Sequence, residues 1–307
     1  MINQGCTMTG TSRREFLEFS GALMGGIAVG SRVTAAARAD RFVVETRGKR
    51  APASLDVVHE MTGVKFAVVE GREKDLKKSK VIRDYAPDVE VELEAPDLPD
   101  DLAAKNGPYD VPADRNDEDL YDLEWDKQVQ SIKEAHETTR GEGTRVAVID
   151  DGVYVDHPDL DVNESLSRNF TGDDNGTGPL FDDHGTHVAG TIAARDDGTG
   201  VLGTAPGTEL VDLRVFSGPS ATFGSILAAI VHATAVDADV ANLSLGAYPV
   251  PRQAQGSFYG KALNRTMTFA NREGTLLVIA AGNASADLQK DKNFLSLPSD
   301  RRAGHLA

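Results

Sequence analysis

DDHGTHVAGT, residues 182–191, joins an acidic pair to a histidine, a glycine and a run of small side chains. The pattern predicts the N-terminus of a helix that presents His184 at a surface, while its small residues let the helix pack closely against a sheet. Imidazole exchanges protons near neutral pH, so a histidine held in this way suits acid–base chemistry. Its role depends on partners elsewhere in the chain.

Strand-like and helix-like segments alternate around this stretch. Residues 146–149 form a continuous apolar run, which is typical of a strand buried on both faces. Further strands are predicted at 211–215, 240–245 and 276–281, with helices at 225–236 and 257–273. This alternation predicts an α/β domain with a mainly parallel sheet, in which chemistry gathers at the carboxyl ends of the strands.

Small or polar residues follow these strands. Asp150 directly follows the first apolar run, where a poorly solvated carboxylate needs a partner. An imidazole N–H is a suitable partner, because an aspartate fixes the tautomer of a histidine and stabilises its cation. Asn283 follows the last strand and offers an amide donor to a developing oxyanion.

The composition restricts the function further. Acidic residues number 48 against 32 basic ones, which gives a net charge of −16 and argues against nucleic acid as a partner. A dispersed acidic surface with little lysine favours adaptation to high salt, and an ordinary acidic secreted protein is the alternative. Cys6 is the single cysteine, so no disulfide forms within the chain.

Four segments are predicted along the chain. Residues 1–39 combine Arg13-Arg14 with a short apolar stretch and small residues, which is typical of a twin-arginine signal peptide. The chain is therefore expected to be secreted, extracellular and without a stable membrane anchor. Residues 40–95 predict a small α+β unit with strands at 41–46, 63–70 and 89–94 and a helix within 73–83. Residues 96–119 form an acidic, proline-containing linker and processing region, and 120–307 form the main domain, whose initial segment is expected to pack Trp125.

Six blocks resemble the subtilisin-like serine proteases and occur in the order of that family: residues 146–153, 157–160, 184–190, 200–206, 242–246 and 280–283. The resemblance covers about residues 120–298 and implies a three-layer α/β domain, here incomplete, after a ferredoxin-like propeptide. Together with the predicted signal and the acidic composition, it points to the halolysins of salt-loving archaea. A monomer that binds polypeptide substrates, and its own propeptide in cis, is implied.

The resemblance also implies roles for individual residues. Asp150 matches the triad aspartate, His184 the triad base and Asn283 the oxyanion-hole amide. One substrate-binding strand is expected near 220–222. The opposite wall of the substrate cleft is implied at Ser244, Leu245, Gly246, Ala280, Ala281 and Gly282.

A calcium site is implied by the same resemblance. Its ligands would be the side chains of Asp159 and Asp197 and the backbone carbonyls of Arg195, Thr199 and Val201. Such oxygen donors suit a hard cation. The alternative is an acidic surface loop.

The nucleophile of the family is not found. A serine is expected after Asn283 in a Gly-Thr-Ser-Met-Ala-type context, and neither Ser285, Ser296 nor Ser299 has that context. A truncated, inactive and poorly folded chain is therefore expected. Two hypotheses remain: part of a secreted serine endopeptidase, or a non-catalytic product that acts as a peptide-binding pseudoprotease or a propeptide-type inhibitor.

Overall fold

The computed structural model describes residues 30–34, 40–48, 51, 54–94, 120–180, 183–245, 247–251, 256–280 and 303–306. The strands are β1 (Gly30–Thr34), β2 (Arg41–Thr46), β3 (Asp56–Met61), β4 (Phe66–Glu70), β5 (Ile82–Pro87), β6 (Glu90–Glu94), β7 (Arg145–Asp150), β8 (Arg168–Asn169), β9 (Glu209–Arg214), β10 (Phe216–Ser217), β11 (Ser220–Thr222), β12 (Val240–Leu243), β13 (Ala247–Pro251), β14 (Leu276–Ile279) and β15 (Ala303–Leu306). The α-helices are α1 (Glu73–Lys78), α2 (Trp125–Val129), α3 (Ile132–His136), α4 (His184–Ala193), α5 (Phe223–Ala235) and α6 (Gly256–Glu273).

The main domain is built on a parallel sheet, as predicted. Its strand order is β14-β12-β7-β9-β8, and each neighbouring pair runs parallel. Alternate residues of β7 enter two different cores. Val146 and Val148 pack with the small residues of α4, whereas Ala147 and Ile149 pack with α5. The sheet therefore lies between helices, which gives the three-layer arrangement.

Small residues bring α4 close to its neighbours. Ala189 and Ala193 are buried against the sheet. A Cβ atom added to Gly203 would lie 2.4 Å from the backbone nitrogen of Ala194, immediately after the helix. Larger side chains at these contacts would push the helix, and His184 with it, away from the sheet.

The N-terminal unit is a four-stranded antiparallel sheet in the order β3-β4-β2-β5, with α1 on one face. Its other face packs on α5, because Val43, Phe66 and Val68 belong to the same core as that helix. All six residues of β2 are buried for this reason. Three expectations change here: residues 63–65 form a turn rather than strand, and β3 and β5 are additional strands.

A third sheet joins the two units. Its order is β1-β6-β11-β10, and all its pairs are antiparallel. β1 falls within the segment expected to be a signal peptide. The rest of that segment and the linker at 96–119 lie outside the described residues.

The expectation for Trp125 is wrong. Its side chain is 64% exposed, whereas Lys127, two residues later on the other side of α2, is buried. The Lys127 ammonium donates hydrogen bonds to the carbonyl of Thr191 at 2.7 Å and to the hydroxyl of Thr204 at 2.8 Å. This polar attachment to the end of α4 turns α2 so that the indole faces outward.

Two features concern the surface of the described part of the chain. β14 lies at the edge of the parallel sheet, and its residues Leu276 and Val278 are exposed. None of the described helices combines the length and apolar character needed to cross a bilayer.

Candidate active site

Asp150 and His184 meet at the carboxyl edge of the parallel sheet. Asp150 is the last residue of β7, and His184 is the first residue of α4. The Nδ1–H group of His184 donates a hydrogen bond to Oδ1 of Asp150 at 2.8 Å. The aspartate side chain is 1% exposed and the imidazole 14%. The carboxylate therefore fixes the tautomer in which Nε2 is left as a proton acceptor.

Asp151 fixes the helix that carries His184. Its Oδ1 accepts a hydrogen bond from the backbone N–H of Gly185 at 2.7 Å. Gly185 has no room for a side chain, because an added Cβ would lie 2.4 Å from the carbonyl oxygen of Gly152. The backbone of Gly152 has φ +117°, which favours glycine there. These contacts set the position of the imidazole relative to Asp150.

Asp212 is a second buried carboxyl beside this site. It is 0% exposed on β9, and its Oδ2 accepts a hydrogen bond from the N–H of Val153 at 3.0 Å. Burial, together with the nearby charge of Asp150, raises the pKa of Asp212 to about 8. The group is therefore a neutral acid near pH 7 and holds the backbone that follows Asp150.

Arg214 organises the loop that lies beside the end of β9. Its buried guanidinium pairs with Asp173 and donates a hydrogen bond to the carbonyl of Gly176 at 2.6 Å. Burial would raise the pKa of Asp173, but hydrogen bonds from Asn169, Thr171 and Arg214 lower it well below its usual value. The loop is therefore anchored by an ionised pair.

One edge of the site already pairs with an extended segment. β11 pairs antiparallel with β6 of the N-terminal region, with Ala221 opposite Val91. The pairing continues to the N–H of Phe223, which donates to the carbonyl of Val89 at 2.9 Å. Val91 is 2% exposed. The expected substrate strand near 220–222 thus has the geometry needed for strand addition.

The opposite wall is partly described. Ser244 follows β12 and its hydroxyl accepts a hydrogen bond from Asn242 at 2.9 Å, and Leu245 is buried. The N–H of Ala280 donates to the carbonyl of Leu243, which brings the ends of β12 and β14 together. Gly246, Ala281, Gly282 and Asn283 lie outside the described residues.

The other histidines have structural environments. Burial is the main reason why the pKa of His187 is lowered, and the neighbouring His184 lowers it further. The ring nitrogens of His59, His136 and His232 lie within hydrogen-bonding distance of backbone carbonyls of Phe170, Thr204 and Leu166, respectively. These contacts attach the three rings to the backbone of neighbouring segments.

The loop expected to bind calcium wraps around Asp159. The N–H of Arg195 donates to the Asp159 carbonyl at 3.1 Å, and the Asp159 carboxylate points at Gly200, where an added Cβ would lie 2.9 Å from Oδ2. The hydroxyl of Thr199 donates to Oδ1 of Asp197 at 2.7 Å. The donors are oxygens and fit a hard cation. The part of the chain that the structure describes holds no group of three or more histidine, cysteine or acidic side chains placed to share a metal.

Comparison with protein families identifies the domain. A model described as the subtilase family, Peptidase_S8, matches residues 141–300. The chain belongs to this family. The Asp150–His184 pair lies within the matched region, and the fold and the parallel sheet agree with the membership.

Individual relatives support the same conclusion. The major intracellular serine protease of Bacillus subtilis is 37% identical over 165 residues, which cover 52% of this chain and 49% of the relative. Subtilisin DY of Bacillus licheniformis is 37% identical over 152 residues, or 48% of this chain and 50% of the relative. An intracellular serine protease of Paenibacillus polymyxa is 44% identical over 112 residues, or 35% of this chain and 34% of the relative. The chain therefore spans between about a third and a half of the length of these relatives.

Solved structures show the fold over a longer part of the chain. The epidermin leader peptide processing protease of Staphylococcus aureus matches with a TM-score of 0.59 and 20% identity, over 85% of this chain and 64% of that one. Fervidolysin of Fervidobacterium pennivorans matches with a TM-score of 0.58 and 21% identity, over 88% of this chain and 44% of that one. The N-terminal unit is thus included in the fold-level likeness.

Sequence reasoning gave no role to Asp151, Asp212 or Arg214. Asp212 and Arg214 stand among Leu210, Val211 and Leu213 in β9, which is a signal that they face partners rather than solvent. Those partners, Val153 and Asp173, are distant in sequence. The pairing therefore had no local signature.

Proposed function

We propose that this chain serves peptide-bond hydrolysis as a serine endopeptidase of the subtilisin type. The observation that carries the proposal is the 2.8 Å hydrogen bond between His184 and Asp150 at the carboxyl edge of the sheet. Nε2 of His184 takes the proton of the attacking serine hydroxyl and later gives it to the leaving amine. Asp150 keeps the imidazole oriented and stabilises its cationic form.

Polypeptide substrates bind as an added strand in this proposal. β11 forms one wall of the cleft and Ser244, Leu245 and Gly246 form the other, with Ala280, Ala281 and Gly282 beside the first specificity pocket. Main-chain hydrogen bonds hold the substrate, as β11 already holds β6. Asn283 donates to the oxyanion that forms on the attacked carbonyl.

The N-terminal unit acts as a propeptide in cis. β6 occupies the strand edge that substrate needs, and Asp88 anchors the unit beside it. Oδ1 of Asp88 accepts from the N–H of Gly224 at 2.7 Å at the start of α5, while Oδ2 accepts from Arg41 at 2.8 Å. Both side chains are buried. A docked unit of this kind inhibits the site until it is removed.

Calcium, export and salt adaptation complete the proposal. A structural calcium ion is held by Asp159, Asp197 and the carbonyls of Arg195, Thr199 and Val201. The protein leaves the cell by the twin-arginine route. It is a monomer suited to high salt, as in halolysins. The calcium part is tested by thermal unfolding in calcium and in EDTA. A higher unfolding temperature in calcium is expected for the parent and not for Asp159→Asn, whereas an equal temperature in both conditions contradicts the site.

The lack of a recognisable nucleophile limits the catalytic activity of residues 1–307 by themselves. No serine after Asn283 stands in a Gly-Thr-Ser-Met-Ala-type context. Without that hydroxyl, His184 has no group to activate, so covalent acyl transfer does not occur. We expect the 307-residue chain to leave casein intact, and an extended product, in which residues 1–307 are joined to a segment that supplies the serine motif of the family, to cleave it.

Casein hydrolysis tests the proposal with matched variants. Activity of the extended product should fall by roughly three orders of magnitude or more in His184→Ala. It should be retained in His232→Gln, which changes a ring that contacts the carbonyl of Leu166 rather than the pair. Hydrolysis by the purified 307-residue chain that is lost in His184→Ala would overturn the proposed inactivity.

A non-catalytic role is the second candidate. The pairing of β6 with β11 favours it, because strand addition does not need a nucleophile. A peptide-binding pseudoprotease or a propeptide-type inhibitor would bind peptides or a second protease without cleavage. A folded extended product that binds peptide and leaves casein intact supports this alternative over the first.

A further inference from the structure

A cleft of about 690 Å³ lies between the N-terminal unit and α6. One wall consists of the end of β2 and the turn between β3 and β4, and the other is the second half of α6. None of its lining residues belongs to the candidate active site. The volume is in the range of small-molecule sites in proteins.

The lining of this cleft reverses the charge of the chain. The whole chain carries a net charge of −16. The acidic lining residues are Glu45 and Glu273. Five cationic residues line the same cleft: Arg47, Lys65, Arg83, Arg265 and Arg272.

The carboxylate of Glu45 is already paired with neighbouring cations. Its carboxylate accepts hydrogen bonds from Lys261 at 2.7 Å and Arg265 at 2.6 Å, and Arg83 lies 3.7 Å away. Burial by itself would raise the pKa of Glu45, but the hydrogen bonds from Lys261 and Arg265 lower it. The group is therefore ionised, and its charge is neutralised locally.

Three exposed cations, against the one remaining carboxylate of Glu273, are left in the cleft. Among the residues that the structure describes, Arg47, Lys65 and Arg272 form no ion pair. Arg47 and Lys65 come from the N-terminal unit, whereas Arg272 comes from α6. Docking of the unit thus brings like charges together, which is unfavourable unless an anion lies between them.

The cleft is held in shape before any ligand binds. The N–H of Thr46 donates to the carbonyl of Lys65 at 2.9 Å, and Lys65 itself has φ +59° in the left-handed region. Gly63, in the same turn, lies so close to α6 that an added Cβ would be 2.5 Å from the Phe269 ring. The turn is therefore fixed against the helix, and a preorganised site loses less free energy on binding.

We propose that this cleft binds a small multivalent oxyanion of the phosphate type, such as a triphosphate group, and that the ion bridges the N-terminal unit to α6. Guanidinium groups match phosphate oxygens with paired hydrogen bonds, and several cations around one ligand favour a multivalent anion over chloride. Because Arg47 and Lys65 come from the N-terminal unit and Arg272 comes from α6, the ligand binds the docked arrangement best. It stabilises that arrangement by mass action. This site is independent of the proposed proteolysis.

The test uses residues 1–307, in whichever of the 307-residue chain and the extended product is folded by circular dichroism, and sodium tripolyphosphate as the probe. Isothermal titration near 0.1 M ionic strength, where charges act over roughly 10 Å, should show saturable one-to-one binding and a higher unfolding temperature. Sodium sulfate at the same ionic strength should produce a much smaller effect. ATP serves as a second arm: equal affinity assigns recognition to the triphosphate itself, and tighter binding assigns it to a nucleotide.

Two double variants with the same charge change separate site binding from general attraction. Arg47→Gln with Arg272→Gln should weaken binding at least about tenfold. Lys74→Gln with Lys80→Gln, on exposed residues elsewhere in the N-terminal unit, should bind as the parent does. If the first variant does not fold, Lys65→Gln replaces it. Absence of saturable binding by the parent, or equal binding by both variants, overturns the proposal.

Discussion

Asp212→Asn should remove a pH dependence of stability that the native site imposes. The folded protein holds this carboxyl with a pKa of about 8, mainly because it is buried. An aspartate in an unfolded chain titrates near 3.9. Between these values the folded state binds one more proton than the unfolded state at this position. The free energy of unfolding therefore falls as pH rises, by about 1.4 kcal/mol for each pH unit.

The expected magnitude follows from these two pKa values. Raising the pH from 5.5 to 7.5 should cost the native protein about 2–3 kcal/mol through Asp212 alone. Asparagine keeps an oxygen that accepts from Val153 and has no acidic proton to lose. The stability of the variant relative to the parent should therefore increase by about 2–3 kcal/mol over this interval.

Urea unfolding at several pH values measures this difference. Comparison of variant with parent cancels the contributions of the histidines and of other carboxylates. Asp161→Asn makes the same substitution at an exposed position and should follow the parent curve. Parallel curves for Asp212→Asn and the parent would refute the argument that Asp212 is a buried neutral acid.

Three further changes test the packing around the site and the docked unit. Gly185→Ala should destabilise the fold by about 1–3 kcal/mol in urea unfolding, because the added methyl group meets the backbone that follows Asp150. Gly190→Ala is the control, because a methyl group added there has open space. Equal effects of the two substitutions would contradict the contact at Gly185. Burial lowers the pKa of His59 to about 4. The free energy of unfolding of the parent should therefore fall by about 1.4 kcal/mol per pH unit as the pH falls below about 6.5. His59→Gln should lack that slope in the same assay. Asp88→Ala leaves Arg41 buried without its carboxylate and should cost about 3–5 kcal/mol by chemical unfolding, whereas a loss below about 1 kcal/mol would show that the pair is not an anchor.

The parallel sheet and α4 were predictable because their signals are local. Burial is indicated directly by the apolar run at 146–149 and by the small residues after His184. The Asp150–His184 contact followed from the position of each residue at a strand end or a helix start and from the family resemblance. Its geometry now supports that prediction, while the catalytic roles remain for experiment.

The features that were predicted wrongly or missed depend on partners that are distant in the sequence. Trp125 was expected inside, but Lys127 reaches the end of α4 and decides which side of α2 is buried. The neutral carboxyl of Asp212 arises from the packing of β9 beside β7, which no local pattern encodes. The cationic cleft is formed only when the turn at Lys65 docks on α6.

Active-site labelling tests the central claim most directly. A fluorophosphonate reacts with a serine hydroxyl only when a neighbouring base activates it. The product that extends past position 307 should be labelled at one serine after Asn283, and His184→Ala should abolish the labelling. Labelling that survives in His184→Ala, or its absence from a folded extended product, would contradict the assignment of Asp150 and His184 as two members of a serine protease triad.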